Sequence, residues 1–522
     1  MAKRKAPQAA AAPAAGVSKP APTKKARFSN PPPRPSGPSS TAPTKSKKAQ
    51  GKATQPAPDA AASTPAAPKR FVVASGSYER LLYGLECTFK PATAAAAAAA
   101  AAAAKKGSKK DYELSVEPIF SFPAHLSSLR TVAASHLLSP GTGSERKVGG
   151  KYLVTAGTDE IIKVWDLKRR KEVGNLEGDT TGTINCMRFV PQRNMLMVAS
   201  SDSTIALYRV RDFVLLRALK GHKGRVNSID AHPDGRVALS VGVDRMLRMW
   251  DLVAGKSVAS LRLSREGDIV RWNTNGSKFA VICNNELTVY GLDMSIHHQL
   301  TAKSRFHDVR FCHFPLDASD PNQREYLFVA CEDGRTRVFD ISDPTPVTVD
   351  DSTDLNALDL PKLDPVASLV GHSNRIKMID LLEVALPTAE PSSTIVLTTV
   401  SSDGLINMYD LADVQAGSAA IAEEGKELEV QPIANFDTDK SRLTCVCAIG
   451  LVERGEAGAA KKGENGAAED DSEEEEDDEE EESEDEDVAG GSQDGESEED
   501  EEEFAGFEDE EEEEEEDEGE DA

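Results

Sequence analysis

Residues 221–252, GHKGRVNSIDAHPDGRVALSVGVDRMLRMWDL, constrain this chain more than any other stretch. Three short apolar runs, 226–229, 237–241 and 246–250, are separated by the turn signals His232-Pro233-Asp234-Gly235 and Asp244-Arg245. Runs this short between turn residues read as strands rather than helices. Three such strands and the one that follows make a four-stranded antiparallel sheet that is apolar on both faces. A sheet of that kind cannot bury itself, so it requires copies stacked on either side.

The copies are present. Strands ending in Trp165-Asp166-Leu167, Tyr208-Arg209-Val210, Trp250-Asp251-Leu252, Tyr290-Gly291-Leu292, Phe339-Asp340-Ile341 and Tyr409-Asp410-Leu411 are offset by 43, 42, 40, 49 and 70 residues. Turn aspartates stay in phase at Asp159, Asp202, Asp244, Asp333 and Asp403. A Gly-His opening, a Trp-Asp close and a period of about 40–45 residues are the marks of a β-propeller blade. The two longer offsets are filled by loops at 316–325, 342–364 and 385–393. Six closing motifs leave a seventh blade to be assembled from the ends. Residues 442–449 (RLTCVCAI) offer one strand, 71–74 and 80–85 two more around a turn at Gly76-Ser77-Tyr78, and 118–122 the outermost. Joining the ends in one blade would leave no exposed sheet edge. The expectation is an all-β, seven-bladed propeller over 71–450, interrupted by insertions at 91–111 and 342–364, the first of them alanine-rich and ending in lysines.

His222, Ser240, Asp244 and Trp250 carry the residue types of a hydrolase triad. The set recurs as His125, Thr155, Asp159 and Trp165, and in part as His372 and Asp403 with Tyr409 in the tryptophan's place. Catalytic triads are not copied around a ring, so these are expected to be buried structural networks. Gly255-Lys256-Ser257 resembles the end of a phosphate loop, but Trp250 stands where the first glycine belongs. No cofactor or metal site is expected. The cysteines, Cys87, Cys186, Cys283, Cys312, Cys331, Cys445 and Cys447, form no CxxC pair and read as small buried hydrophobes. Cys445 and Cys447 alternate along one strand and so face the same way.

Charge is segregated. Residues 1–70 hold 14 Lys/Arg and one acid, while residues 464–522 hold 39 Asp/Glu and neither Lys nor Arg. The middle is nearly neutral, so the net charge of −29 belongs to a tail. Both ends, 1–70 and 451–522, are expected to be disordered arms. Basic clusters at Lys3-Arg4-Lys5, Lys24-Lys25-Ala26-Arg27 and Lys45-Ser46-Lys47-Lys48 suit nuclear import or nucleic-acid contact. Ser472, Ser483 and Ser497 each precede acids, as an acid-directed kinase prefers, and Phe504 and Phe507 are the tail's aromatics. No apolar run approaches membrane-spanning length and no secretory leader is expected.

At Ala74-Ser75-Gly76-Ser77-Tyr78-Glu79, Leu82-Tyr83-Gly84, residues 232–256 (HPDGRVALSVGVDRMLRMWDLVAGK), 401–411 (SSDGLINMYDL) and 441–445 (SRLTC), the chain resembles the WD-repeat proteins of the p21-activated-kinase-interacting and fungal maintenance-of-killer kind. The resemblance implies a nucleolar factor for assembly of the large (60S) ribosomal subunit. Its expected partners are pre-ribosomal assembly factors, ribosomal proteins and precursor RNA, and the protein itself would be a monomer within the particle. Some family members are described as inhibitors of p21-activated kinase, so a kinase-binding adaptor is the first alternative. A histone or ribosomal-protein chaperone acting through the acidic tail is the second. The members of the family tend to end in lysine-rich sequence, whereas this chain ends acidic and places its basic block first. A ubiquitin-ligase receptor is disfavoured, because the Trp-Asp-Leu motifs are followed by Lys168 and Val253 rather than Arg.

A binding face follows from spacing. Arg225, Arg375 and Arg442 each stand immediately before the first apolar residue of an inner strand, with Lys223 and Arg245 beside the first of them. They are expected on the face where the Gly-His loop and the aspartate turn emerge, brought together by the ring although far apart in sequence, as a rim for RNA phosphate or an acidic partner.

Overall fold

The structure is a computed structural model that describes residues 67–451 apart from 93–110, 139–146, 177–181, 191, 315–322, 343–362, 389–391 and 415–426. Most of the expected arms, residues 93–110 of the alanine insertion and the core of the 342–364 loop therefore lie outside the described residues, whereas Arg70, Pro91 and Leu451, assigned to the arms and the insertion, are strand residues. So do the basic clusters, Ser472, Ser483, Ser497, Phe504 and Phe507.

Seven antiparallel sheets succeed one another in a closed ring. Blade 1 is built from both ends of the domain, in the order Leu443–Leu451, Arg70–Ser77, Leu81–Pro91 and Tyr112–Pro123 from inside outward. Blade 2 runs Leu129–Ala134, Tyr152–Gly157, Ile162–Asp166 and Lys171–Leu176. Blades 3, 4 and 5 begin at Ile184–Val190, Val226–Ala231 and Ile269–Trp272, and each adds its next three strands in order. Blade 6 begins at Phe306–Phe314 and blade 7 at Ile376–Ala385. Each inner strand packs on the inner strands of the blades before and after it, and Leu443–Leu451 packs on Leu129–Ala134 to close the circle.

The composite blade is longer than the apolar pattern indicates. Its outer strands run to Pro91 and from Tyr112, and the turn falls at residues 78–80 rather than at Gly76-Ser77-Tyr78. Gly76 is a strand residue. A Cβ there would sit 2.8 Å from Cys445 Sγ and 2.9 Å from Leu129 Cβ, so glycine serves close packing between blades 1 and 2. The left-handed turn residue is Arg80, at φ 73°. Blade 6 gains a fifth strand, Leu428–Val430, which comes from the excursion between the third and fourth strands of blade 7 and lies parallel to Pro365–Leu369.

The core consists of apolar clusters at the seams between blades. Blades 1 and 7 meet through Phe71, Leu85, Leu382, Met408 and Val446, and blades 5 and 6 through Ile282, Phe306, Phe311 and Leu327. Six of the seven cysteines are buried and Cys447 is partly so; all seven are free thiols. Burial pushes Cys445 and Cys447 up to about 11, away from thiolate chemistry.

Strand direction gives the ring two unlike faces. Inner strands start on the face that carries the His loops and aspartate turns, here the upper face, and end on the lower face. Arg70 pairs with Leu451, so both ends of the domain open on the lower face.

Candidate functional site

The three His networks form as chains inside blades 2, 4 and 7. In blade 4, His222 Nδ1 meets Asp244 at 2.9 Å and its Nε2 meets Ser240 Oγ at 2.7 Å. Trp250 Nε1 donates to the same hydroxyl at 2.8 Å. Asp244 also accepts the Lys223 and Met246 backbone N–H groups, at 3.0 and 3.2 Å. Burial lowers the His222 pKa, so the ring is a neutral link. Burial alone would raise Asp244, but the N–H group of Lys223 and the His222 ring bring it below its ordinary value. Blade 2 repeats the chain with His125–Asp159, His125–Thr155 and Trp165–Thr155 at 2.8, 2.8 and 2.9 Å.

Blade 7 departs from the pattern. His372 meets Asp403 at 3.2 Å and Thr399 Oγ1 at 2.7 Å, but Tyr409 OH donates to the Val370 carbonyl at 2.9 Å. Thr399 is a network member that the repeat spacing alone did not single out. Ser240, Thr155 and Thr399 are fully buried, so no substrate reaches their hydroxyls. These residues tie the upper loops to the blades.

A second polar system was not legible in the sequence. Arg188 of blade 3 faces Asp230 of blade 4 at 3.8 Å, Arg271 of blade 5 meets Asp308 of blade 6 at 3.1 Å, and Arg310 of blade 6 meets Asp380 of blade 7 at 3.3 Å. Lys147 closes on Asp380 at 2.5 Å from the short strand Lys147–Val148, which lies between the first two strands of blade 2 in the chain but pairs with the inner strand of blade 1. The carboxylates also accept backbone N–H groups one blade on: Asp230 from Trp272, Asp308 from Ile379 and Asp380 from Ala448. Burial alone would raise the Asp380 pKa, but Lys147 and Arg310 bring it down to about 2. This belt holds the inner strands in angular register.

The rim residues all lie on the upper face and are exposed, but on different blades. Lys223, Arg225 and Arg245 form one group on blade 4. Arg375 stands on blade 7, three blades away, with its Nε 3.4 Å from Ser402 Oγ. Arg442, on blade 1, bonds Glu79 through Nε at 3.1 Å and lies 4.4 Å over the Tyr78 ring. The ladder skips one residue near the start of six of the seven inner strands, at Arg130, Asn185, Asn227, His307, Lys377 and Thr444. Such bulges re-aim a side chain out of the pleat. Four of these six reach the next blade: Arg130 to Asn185, Asn185 to the Val226 carbonyl, Asn227 to the Gly267 carbonyl and Thr444 to the Leu129 carbonyl.

The other two gather cations. Burial, with Lys377, Arg305 and Arg375 nearby, lowers the His307 pKa to about 4. Burial, with Arg375 and Arg305, also lowers Lys377. Asp268, 2.8 Å from Arg305, and Glu332 are the acids beside this group. Arg375 thus belongs to a basic cluster across the seam of blades 6 and 7. Among the described residues no group of histidine, cysteine and acidic side chains could hold a metal ion.

The WD domain, G-beta repeat model matches residues 170–209 and 213–251. Each match begins at or near an outer strand and runs through the first three strands of the next blade, so the sequence repeat straddles the seam. The chain is 26% identical to a p21-activated protein kinase-interacting protein 1-like protein of Danio rerio, over 65% of this chain and 74% of the relative. A Gallus gallus protein of the same name is 32% identical over 42% of this chain and 55% of its own length. Protein MAK11 of Saccharomyces cerevisiae is 27% identical over 64% and 80%. With seven blades, a WD-repeat match and relatives of this kind along most of the propeller, the chain is a WD-repeat protein of the p21-activated-kinase-interacting and MAK11 type.

Proposed function

We propose that the protein is a non-catalytic scaffold in large-subunit ribosome assembly that docks pre-ribosomal protein or RNA phosphate on its upper face and acts in the nucleus and nucleolus. The observation that carries this reading is the basic cluster of Arg305, Arg375 and Lys377 around the neutral ring of His307. Burial and the two guanidinium groups beside it lower Lys377, an imbalance that an incoming anion relieves, and its bulged position on a rigid ring holds it in place. The basic arm of residues 1–70 suits import. A second reading, a kinase-binding adaptor, is favoured by the name that the vertebrate relatives share.

The test is charge reversal of exposed rim residues, Lys223→Glu, Arg225→Glu and Arg375→Glu together, followed by gradient sedimentation from cell extracts. The expected result is loss of co-sedimentation with large-subunit precursors at an unchanged melting temperature. Normal co-sedimentation of the triple variant would overturn the upper-face reading. Loss of a bound kinase with co-sedimentation intact would favour the adaptor.

A further inference from the structure

The lower face is electrically lopsided. On blades 2, 3 and 4 it presents Lys151, Lys168, Arg169, Arg193, Arg211 and Arg236, all exposed. None of the six is in an ion pair within 4 Å among the described residues, although Asp251 lies near Arg193 and Asp212 near Arg211. The acids nearby are largely committed. Asp212 pairs with Arg209, and Asp166 and Asp251 accept N–H groups of their own turns. Asp234 is exposed and lies 3.6 Å from His232. Between blades 3 and 4 the surface opens into a depression of about 450 Å³ lined by Gln192, Arg193, Met195, Asp234 and Arg236.

The chain leaves the fold beside this arc. Leu451 ends the inner strand of blade 1 on the lower face. Gly450 pairs with Val148, and its carbonyl accepts the Gly149 N–H at 3.2 Å. Lys151, the first cation of the arc, is two residues from Gly149. The block of 39 acids begins at Glu464. An extended spacer of that length reaches about 45 Å, at roughly 3.5 Å per residue, enough to pass from blade 1 onto blades 2 to 4. A tethered segment also meets a nearby surface at a high effective concentration, so weak ion pairs suffice.

We infer that residues 464–522 dock in cis on the basic arc of blades 2 to 4 and cover it. The docked acids occupy guanidinium and ammonium groups that would otherwise attract a polyanion. This inference concerns the opposite face from the proposed function and stands or falls separately.

Zero-length carbodiimide cross-linking of the full chain tests it, because the reagent joins only carboxylates and amines in contact. Tail carboxylates are expected to link to Lys151 and Lys168 and not to the upper-face Lys223 and Lys440. The links should be lost at about 1 M salt, where charges are screened beyond about 3 Å. They should also be lost in the variant Arg169→Glu, Arg193→Glu, Arg211→Glu, Arg236→Glu, whose melting temperature is the check on folding. Links spread evenly over both faces, links confined to lysines of residues 1–70, links between separate molecules, or links that survive the fourfold reversal would each overturn the inference.

Discussion

At the scale of single residues, burial sets protonation and so the pH range in which the ring holds. Burial lowers the pKa values of His125, His222 and His298, and that of His307 to about 4. The unfolded chain then binds a proton at these sites near pH 6.5 while the folded chain does not, so stability is full above that pH and falls as pH drops. Each fully shifted histidine costs up to about 1.4 kcal/mol per pH unit in this window. The carboxylates act lower down. Asp380 sits at about 2, and the hydrogen bonds to Asp403 hold it well below its ordinary value although burial opposes them. Their contribution is present above about pH 4 and is lost below it. Calorimetry across pH should show the melting temperature declining from about pH 6.5 to 4 and then falling further. His307→Asn should make the first phase shallower, with His125, His222 and His298 still contributing, and leave the second. A melting temperature constant from pH 7 to 4 would contradict the burial of these rings.

At the scale of strands, the inner seams combine apolar side chains with paired charges. Arg271 is 2% exposed and Asp308 1%, so neither charge is solvated once its partner is gone. Asp308→Ala should destabilise the fold by about 3–5 kcal/mol, because it strands a buried guanidinium. Replacing both, as Arg271→Met with Asp308→Leu, should recover most of that loss, although the acceptor for the Ile379 N–H goes with the carboxylate. Denaturant unfolding of the single and double variants measures the coupling; equal losses in the two would mean that the pair carries no such penalty. Strand existence was readable from alternation and turn residues, because a two-residue period is a local property. The belt was not. Arg188, Arg271 and Arg310 look like ordinary polar positions until the ring sets them against acids 37 to 70 residues further along the chain.

At the scale of the molecule, closure depends on one strand. Leu443–Leu451 pairs with Arg70–Ser77 over its whole length and packs on blades 2 and 7. Ending the chain after Leu451 should leave the melting temperature within a few degrees of that of the full chain. Ending it after Arg442 should remove the inner strand of blade 1, expose the edge at Arg70–Ser77 and give aggregation or unfolding. Thermal melts and gel filtration of the two truncations distinguish these outcomes; a folded, monomeric protein from the shorter one would mean that the ring does not need its closing strand.

The repeat period, the turn aspartates and the alternating apolar runs determined from the sequence alone that this chain builds propeller blades, and that His222, Ser240, Asp244 and Trp250 belong to one of them. Those features act within about 40 residues, where chain connectivity enforces their geometry. The placement of Gly76 inside a strand, the capture of Leu428–Val430 by blade 6, the inter-blade charge belt and the Arg305–Lys377 cluster were decided only by the tertiary structure. Each depends on which surfaces the closed ring brings face to face, and the distances that set those contacts are absent from any local pattern. The same closure puts Arg70 opposite Leu451 on the lower face.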